Sequence, residues 1–231
     1  MTLSTLIALI VTATLISCEA TSYIPQVYRP CIQKADVVFL LDASTSIGEQ
    51  NWTRTTEIAA DITKYVDVRP VSVLFATVMF NRIPTKQFDL KDHMDHYSLV
   101  KALLAIAYPG IPGTKTYLAL RDITNKNMFG AEAGGRDDAP DNVIIITDGN
   151  SDFSLTQTEA TRLKQGGINI ITVGIGSKQS QEELNEIASA PEKVFNADSI
   201  DLPWEIIDSL NMKACEQREV SREMDEIMPI Y

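Results

Sequence analysis

Val37-Val38-Phe39-Leu40-Leu41 runs directly into Asp42-Ala43-Ser44-Thr45-Ser46, and the reading of this junction decides the fold. An unbroken apolar run of this length reads as a strand buried on both faces, the kind found inside a parallel sheet. It stops on a carboxylate and then offers hydroxyls at alternate positions, Ser44 and Ser46. Such donors are all oxygen, which suits Mg²⁺ or Mn²⁺, with Ca²⁺ a further candidate, rather than zinc or copper. The plainer alternative is that these residues form only a polar turn and the N-cap of the next helix.

Outward from this junction, strands and helices alternate. Ala35–Leu41 is a strand and Glu49–Val66 a helix, with Trp52, Ala59, Ile62 and Val66 recurring near the helical period. Val71–Phe80 is a second strand, and the short alternating Thr85–Leu90 an edge strand entered by a tight turn. Helices follow at Ser98–Tyr108 and Tyr117–Met128, separated by the loop Pro109-Gly110-Ile111-Pro112-Gly113-Thr114-Lys115-Thr116. Val143–Thr147 is another apolar strand, and it ends on Asp148-Gly149. Thr156–Gln165, Gln181–Ala188 and Leu202–Met212 are helices, alternating with strands at Ile168–Gly174 and Lys193–Asn196. This order predicts an α/β fold: a doubly wound, Rossmann-like, mostly parallel central sheet with helices on both faces and one antiparallel edge strand. In such a sheet ligands bind beyond the carboxyl ends of the strands, so Asp42, Ser44, Ser46 and Asp148 converge there, with the loop of Thr114 above them. Two carboxylates crowded at one edge call for a cation.

The flanks point to an extracellular chain. Residues 1–20 contain no Lys or Arg, and their apolar run Leu6–Ile16 leads to Ser17-Cys18-Glu19-Ala20, which reads as a signal peptide too short to span a bilayer comfortably. Residues 21–34 form an extended lead-in, the domain occupies 35–215, and 216–231 are an acidic tail. Removing the signal leaves two cysteines, Cys31 and Cys215, which bracket the domain and read as one disulfide tying its ends; two free thiols are the alternative. Asn51-Trp52-Thr53 is the single glycosylation sequon. A glycan on Asn51 would either shield the loop after Ser46 or project sideways from the first turn of the helix. The net charge of −11 argues against nucleic acid or an anionic membrane as partner, and no further apolar stretch of spanning length follows Ala20.

Other chemistries fit less well. His93 and His96 lack a third ligand at a recognisable spacing. The loop before Lys115 lacks the glycine that a phosphate loop places before its lysine, and Gly174-Ile175-Gly176 lacks the third glycine of a dinucleotide site. There is no Gly-x-Ser-x-Gly elbow, and Asp42 has no neighbouring second acid of the phosphatase kind, so an enzyme is not expected.

Asp42-x-Ser44-x-Ser46-Ile47-Gly48, Gly113-Thr114-Lys115-Thr116 and Ile145-Ile146-Thr147-Asp148-Gly149, followed by Ile171-Thr172-Val173-Gly174-Ile175-Gly176, resemble the von Willebrand factor type A domain in order and separation. The resemblance covers roughly Ala35 to Cys215. It implies a metal-ion-dependent adhesion site, with Ser44 and Ser46 as hydroxyl ligands of Mg²⁺. Thr114 and Asp148 bind directly or through water, and Asp42 supports the serines. In that family an extracellular protein ligand supplies a Glu or Asp carboxylate to the ion, and collagen or another matrix protein is the expected partner by analogy. A shift of the last helix accompanies a closed-to-open change in integrin relatives. Lys115 and Tyr117 depart from the family pattern, and both lie beside the binding surface, where they would alter ligand choice. The expectation is therefore a secreted matrix or adhesion protein. A structural module whose metal only rigidifies loops, or a soluble recognition factor of immune type, are the alternatives.

Overall fold

The computed structural model describes residues 33–177 and 179–212. The expected signal peptide, most of the lead-in, both cysteines Cys31 and Cys215, and the acidic tail lie outside the described residues.

Six strands form one sheet: β1 (Ala35–Asp42), β2 (Val73–Phe80), β3 (Pro84–Phe88), β4 (Asp141–Thr147), β5 (Asn169–Gly174) and β6 (Val194–Asn196), in the spatial order β3-β2-β1-β4-β5-β6. β1 is the hub. It pairs in parallel with β2 on one side and β4 on the other, and every one of its eight residues is buried. β5 and β6 continue the parallel ladder. β3 returns antiparallel along β2 and presents mostly exposed or half-buried side chains, as an edge requires. The expected doubly wound architecture is thus the observed one.

The helices are α1 (Gly48–Thr63), α2 (His96–Leu104), α3 (Thr116–Asn125), α4 (Phe153–Gln165), α5 (Gln181–Ile187) and α6 (Leu202–Ser209). The two-residue alternation of β1 divides the core between them. Phe39 and Leu41 join Phe75, Ile144 and Ile146 under Trp52 of α1, Leu99 of α2 and Ile206 of α6. Val38 and Leu40 face the other way, with Ala76, Val78 and Ile145, under Leu120 and Ile123 of α3 and Ala160 and Leu163 of α4. Phe39 and Phe75 stack with ring centroids 5.3 Å apart. Both sheet faces are covered, which is why the strands are apolar throughout.

Element ends depart from expectation where distant polar groups intervene. α2 begins two residues earlier than its apolar period suggests, because Asp95 accepts from the backbone N–H of Ser98 at 2.9 Å and caps it. α6 stops at Ser209 rather than Met212. Its exit is held by two asparagines at the amino ends of β4 and β5. Asn169 Nδ2 donates to Asn142 Oδ1 at 2.8 Å and to Ser209 O at 3.0 Å. Asn142 Nδ2 donates to Asn211 O at 3.0 Å, and Asn211 N donates to Asn142 Oδ1 at 2.8 Å.

At the same edge, fully buried Asp36 is gripped by Arg136 through its backbone N (2.8 Å), Nε (2.9 Å) and Nη2 (2.6 Å). The guanidinium also donates to Pro70 O at 2.9 Å and Ala35 O at 2.7 Å. Burial pushes the Asp36 carboxyl up, and Arg136 opposes that push.

Candidate metal centre

β2 and β4 flank β1 on opposite sides, so the strand order reverses at β1, and loops leaving the two central strands diverge to opposite faces. The crevice between them lies beyond Asp42, the last residue of β1, and Asp148, which follows the last residue of β4. Both aspartates are buried.

Asp42 is oriented on both oxygens. Its Oδ1 accepts from Ser44 N at 2.9 Å and its Oδ2 accepts from the Thr147 hydroxyl at 2.7 Å. Burial raises its carboxyl to about 6, the hydrogen bonds from Thr147 and Ser44 oppose that rise, and the Asp148 charge adds to it. Such a carboxyl favours a nearby positive charge.

Ser44 is buried and Ser46 exposed, and their Oγ atoms stand 3.0 Å apart. An octahedral Mg²⁺ with oxygen ligands at 2.0–2.1 Å places adjacent ligands about 2.9 Å apart. The pair therefore fits two neighbouring corners of such a coordination shell, open towards solvent through Ser46. These residues are not the cap of α1: its N-cap is Ile47, with no side-chain capping bond. Among the described residues no group of three or more His, Cys, Asp or Glu is placed to hold an ion, so a cation shell here would need oxygens beyond those of carboxylates.

The neighbouring loops are pinned against this turn. Ser44 forms an isolated parallel bridge with Ile111, and Tyr108 Oη donates to Ser44 O at 3.0 Å. Lys115 N donates to Asn81 O at 2.8 Å, fixing the backbone just after half-buried Thr114. Gly113, at φ +101, leaves no comfortable room for a side chain, since a Cβ there would meet Arg82 Cβ at 3.2 Å. On the opposite side, Asp148 O accepts from Ser180 N at 2.8 Å, and Asp148 Oδ1 accepts from Asn150 N at 3.2 Å. Buried Glu183 of α5 receives the backbone N–H of Ser151 at 3.0 Å and the Ser151 hydroxyl. Burial pushes the Glu183 carboxyl up, against these bonds.

Asp42, Ser44, Ser46, Thr114 and Asp148 thus all lie at one edge of the sheet. Sequence reasoning missed Thr147, Tyr108 and Glu183, which hold that edge in shape. Thr147 alone left a signal, as the hydroxyl directly before Asp148. Asn51 lies half-buried in the first turn of α1, its Nδ2 donating to Ile47 O at 2.9 Å, and beside Gly176 after β5. His93 packs edge-on against Phe88 at 4.8 Å.

Comparison with known proteins places the fold among known relatives. The family model described as von Willebrand factor type A domain matches residues 36–208. The collagen alpha-6(VI) chain of Homo sapiens is 29% identical over 199 residues, covering 86% of this chain and 8% of that protein. Matrilin-2 of Mus musculus is 29% identical over 191 residues, covering 80% and 20%. The chain therefore spans a minor part of these relatives' length. Proximal thread matrix protein 1 from the mussel byssus superposes with a TM-score of 0.70 at 26% identity, over 78% of this chain and 48% of that one. A second structure of that protein, with a zinc-occupied MIDAS motif, gives 0.67 at 26% identity, over 78% and 47%. Manganese-loaded TRAP protein of Plasmodium vivax, at 20% identity, a TM-score of 0.70 and coverage of 80% and 76%, shares the fold.

Proposed function

The chain belongs to the von Willebrand factor type A domain family, and from that premise we propose that it is an extracellular adhesion or matrix protein that binds a protein ligand through a divalent cation. Mg²⁺ is the first choice of ion. Ser44, Ser46, Thr114 and Asp148 hold it, and Asp42 orients the serine loop. The cation, when bound, supplies an electron-poor point that accepts one further oxygen. The ligand offers that oxygen as a Glu or Asp carboxylate, and a collagen or another matrix protein is the partner we place first. The role is binding, not catalysis.

The observation that carries this reading is the pair of serine hydroxyls, 3.0 Å apart above a buried carboxylate that Thr147 and Ser44 hold in place. Around it, the chain's own residues do three things. Neutral hydroxyls leave charge on the ion, Asp42 fixes the turn, and Tyr108 with the Ile111 bridge keeps the threonine loop close. Secretion after cleavage near Thr21 and a Cys31–Cys215 link belong to the same proposal, and intact-mass analysis of secreted protein reads both.

The deciding experiment is calorimetric titration of Mg²⁺ and Mn²⁺, followed by capture from extracellular-matrix extract in Mg²⁺ or EDTA. Saturable binding to one site, abolished in Ser44→Ala/Ser46→Ala, with capture lost in EDTA, is the expected result. Capture that survives both EDTA and the double substitution would overturn the carboxylate–metal mechanism. Metal binding that raises the melting temperature without affecting capture would favour a purely structural ion.

A further inference from the structure

We infer that the ligand segment is acidic beyond the carboxylate that meets the ion, carrying a second acidic side chain that docks on a cationic shelf formed by Arg82, Lys115 and Tyr117. This rests on the metal-mediated reading above and names the chemical class of its ligand.

The shelf is continuous with the metal loop. Lys115 follows Thr114 directly, and its backbone is tied to the β2–β3 turn through Asn81. Arg82, in that turn, is exposed and lies against Gly113. The Tyr117 ring is bracketed by two cations, Lys115 Nζ at 5.7 Å and Arg121 Cζ at 5.5 Å from its centroid. Both distances lie within cation–π range, a contact of modest strength that leaves the Lys115 ammonium able to turn to a ligand. Arg121 is already matched by Glu159, Nε to Oε1 at 2.8 Å. Arg82 and Lys115 are different: among the described residues neither has a carboxylate partner within ion-pair distance. Two cations without an ion-pair carboxylate therefore stand beside the loops of the crevice, where an acidic group of a ligand can pair with them. They offer pairing positions that a ligand with a single carboxylate would leave unused.

Geometry favours a peptide over other polyanions. The shelf begins one residue from Thr114, and in an extended peptide alternate side chains on one face repeat about every 7 Å. A segment whose first carboxylate completes the ion's shell therefore brings its next same-face side chain within reach of the flexible Lys115 ammonium. A sulfated polysaccharide would engage the two cations equally well with no cation in the site.

The test uses the isotope-labelled full chain and two capped synthetic pentapeptides, Gly-Gly-Glu-Gly-Gly and Gly-Glu-Gly-Glu-Gly, titrated by NMR in saturating Mg²⁺ and in EDTA. Both peptides should perturb the Ser44–Ser46 turn only when Mg²⁺ is present. The diacidic peptide should bind about three- to tenfold tighter, the size expected of one or two exposed ion pairs, and shift the Lys115 and Tyr117 amides. Arg82→Gln/Lys115→Gln should erase that advantage, with Mg²⁺ bound no more weakly than by the unsubstituted chain. Equal affinity of the two peptides for the unsubstituted chain would overturn the shelf while sparing the metal reading. Failure of both peptides, with Mg²⁺ still bound, would overturn the metal–carboxylate reading itself. Heparin binding in EDTA that disappears in Arg82→Gln/Lys115→Gln, without a diacid preference, would assign the shelf to a polysaccharide and refute the proposal.

Discussion

Replacing Arg136 with Met should destabilise the fold by about 3 kcal/mol without touching the candidate metal centre. Asp36 is fully buried, and Arg136→Met removes both side-chain donors to it, leaving only the backbone N–H at 2.8 Å. Breaking a buried ion pair from one side typically costs about 3–5 kcal/mol, because the surviving charge is stranded. The low end applies here, since that backbone bond remains and the arginine side chain is 15% exposed. Against a typical domain stability of about 5–15 kcal/mol, the variant stays folded at room temperature. The assay is urea unfolding followed by fluorescence of buried Trp52, run across pH. Asp36 already titrates above its ordinary range, and losing Arg136 raises it further. An acid raised in the folded state binds its proton more readily there than in the unfolded chain, so stability must increase as pH falls from neutral towards about 4. That slope should be steeper in Arg136→Met than in the unsubstituted chain, and Asp36→Asn/Arg136→Met should recover more than about 1 kcal/mol at pH 7 by removing the stranded charge. Mg²⁺ affinity should be unchanged, because Asp36 lies six residues from Asp42 along β1, roughly 20 Å. A loss below about 1 kcal/mol, or a pH slope no steeper than before, would refute the account of this pair.

Asp141, beside Asp36, is raised to about 6 by burial first and the Asp36 charge second. Stability should therefore fall as pH rises from about 4 to 6, and Asp141→Asn should flatten that window and gain about 1–2 kcal/mol at pH 7 after allowance for partial exposure; an unchanged pH profile would contradict it. Tyr108→Phe removes the bond to Ser44 O and should cost about 1 kcal/mol while weakening Mg²⁺ severalfold by calorimetry. Unaltered metal affinity would show that the bond does not position the serine turn. Gly135→Ala would place a Cβ 1.8 Å from Phe129 O, a backbone clash that should cost at least about 2 kcal/mol in a thermal or urea melt.

What could be read in the sequence was whatever is decided locally. The strand ending on Asp42 and the hydroxyls that follow lie within five residues, so both the buried strand and its oxygen donors were visible before any folding. Asp148 was visible for the same reason. Thr147 shows as a hydroxyl before Asp148, but its role does not, because that role is a bond to Asp42 across 105 positions. The end of α6 was misjudged for the same cause: its apolar period continues towards Met212, yet Asn142, 69 residues earlier, accepts the N–H of Asn211 and ends the helix. The start of α2 was missed differently. Asp92-His93-Met94-Asp95-His96 offers several polar positions, and only tertiary placement singles out Asp95 as the cap.

The paired asparagines at the amino ends of β4 and β5 also determine how the domain would carry load. The described chain enters at the foot of β1 and leaves past Asn211, both at the edge opposite the candidate metal crevice. A ligand pulling on that crevice while the chain is held at its feet therefore loads β1 lengthwise. Because β1 is laddered to β2 over eight residue pairs and to β4 over six, the hydrogen bonds on both sides are sheared together rather than peeled one at a time. The asparagine clamp shares that tension with the last helix, placing a tether at each foot of the sheet.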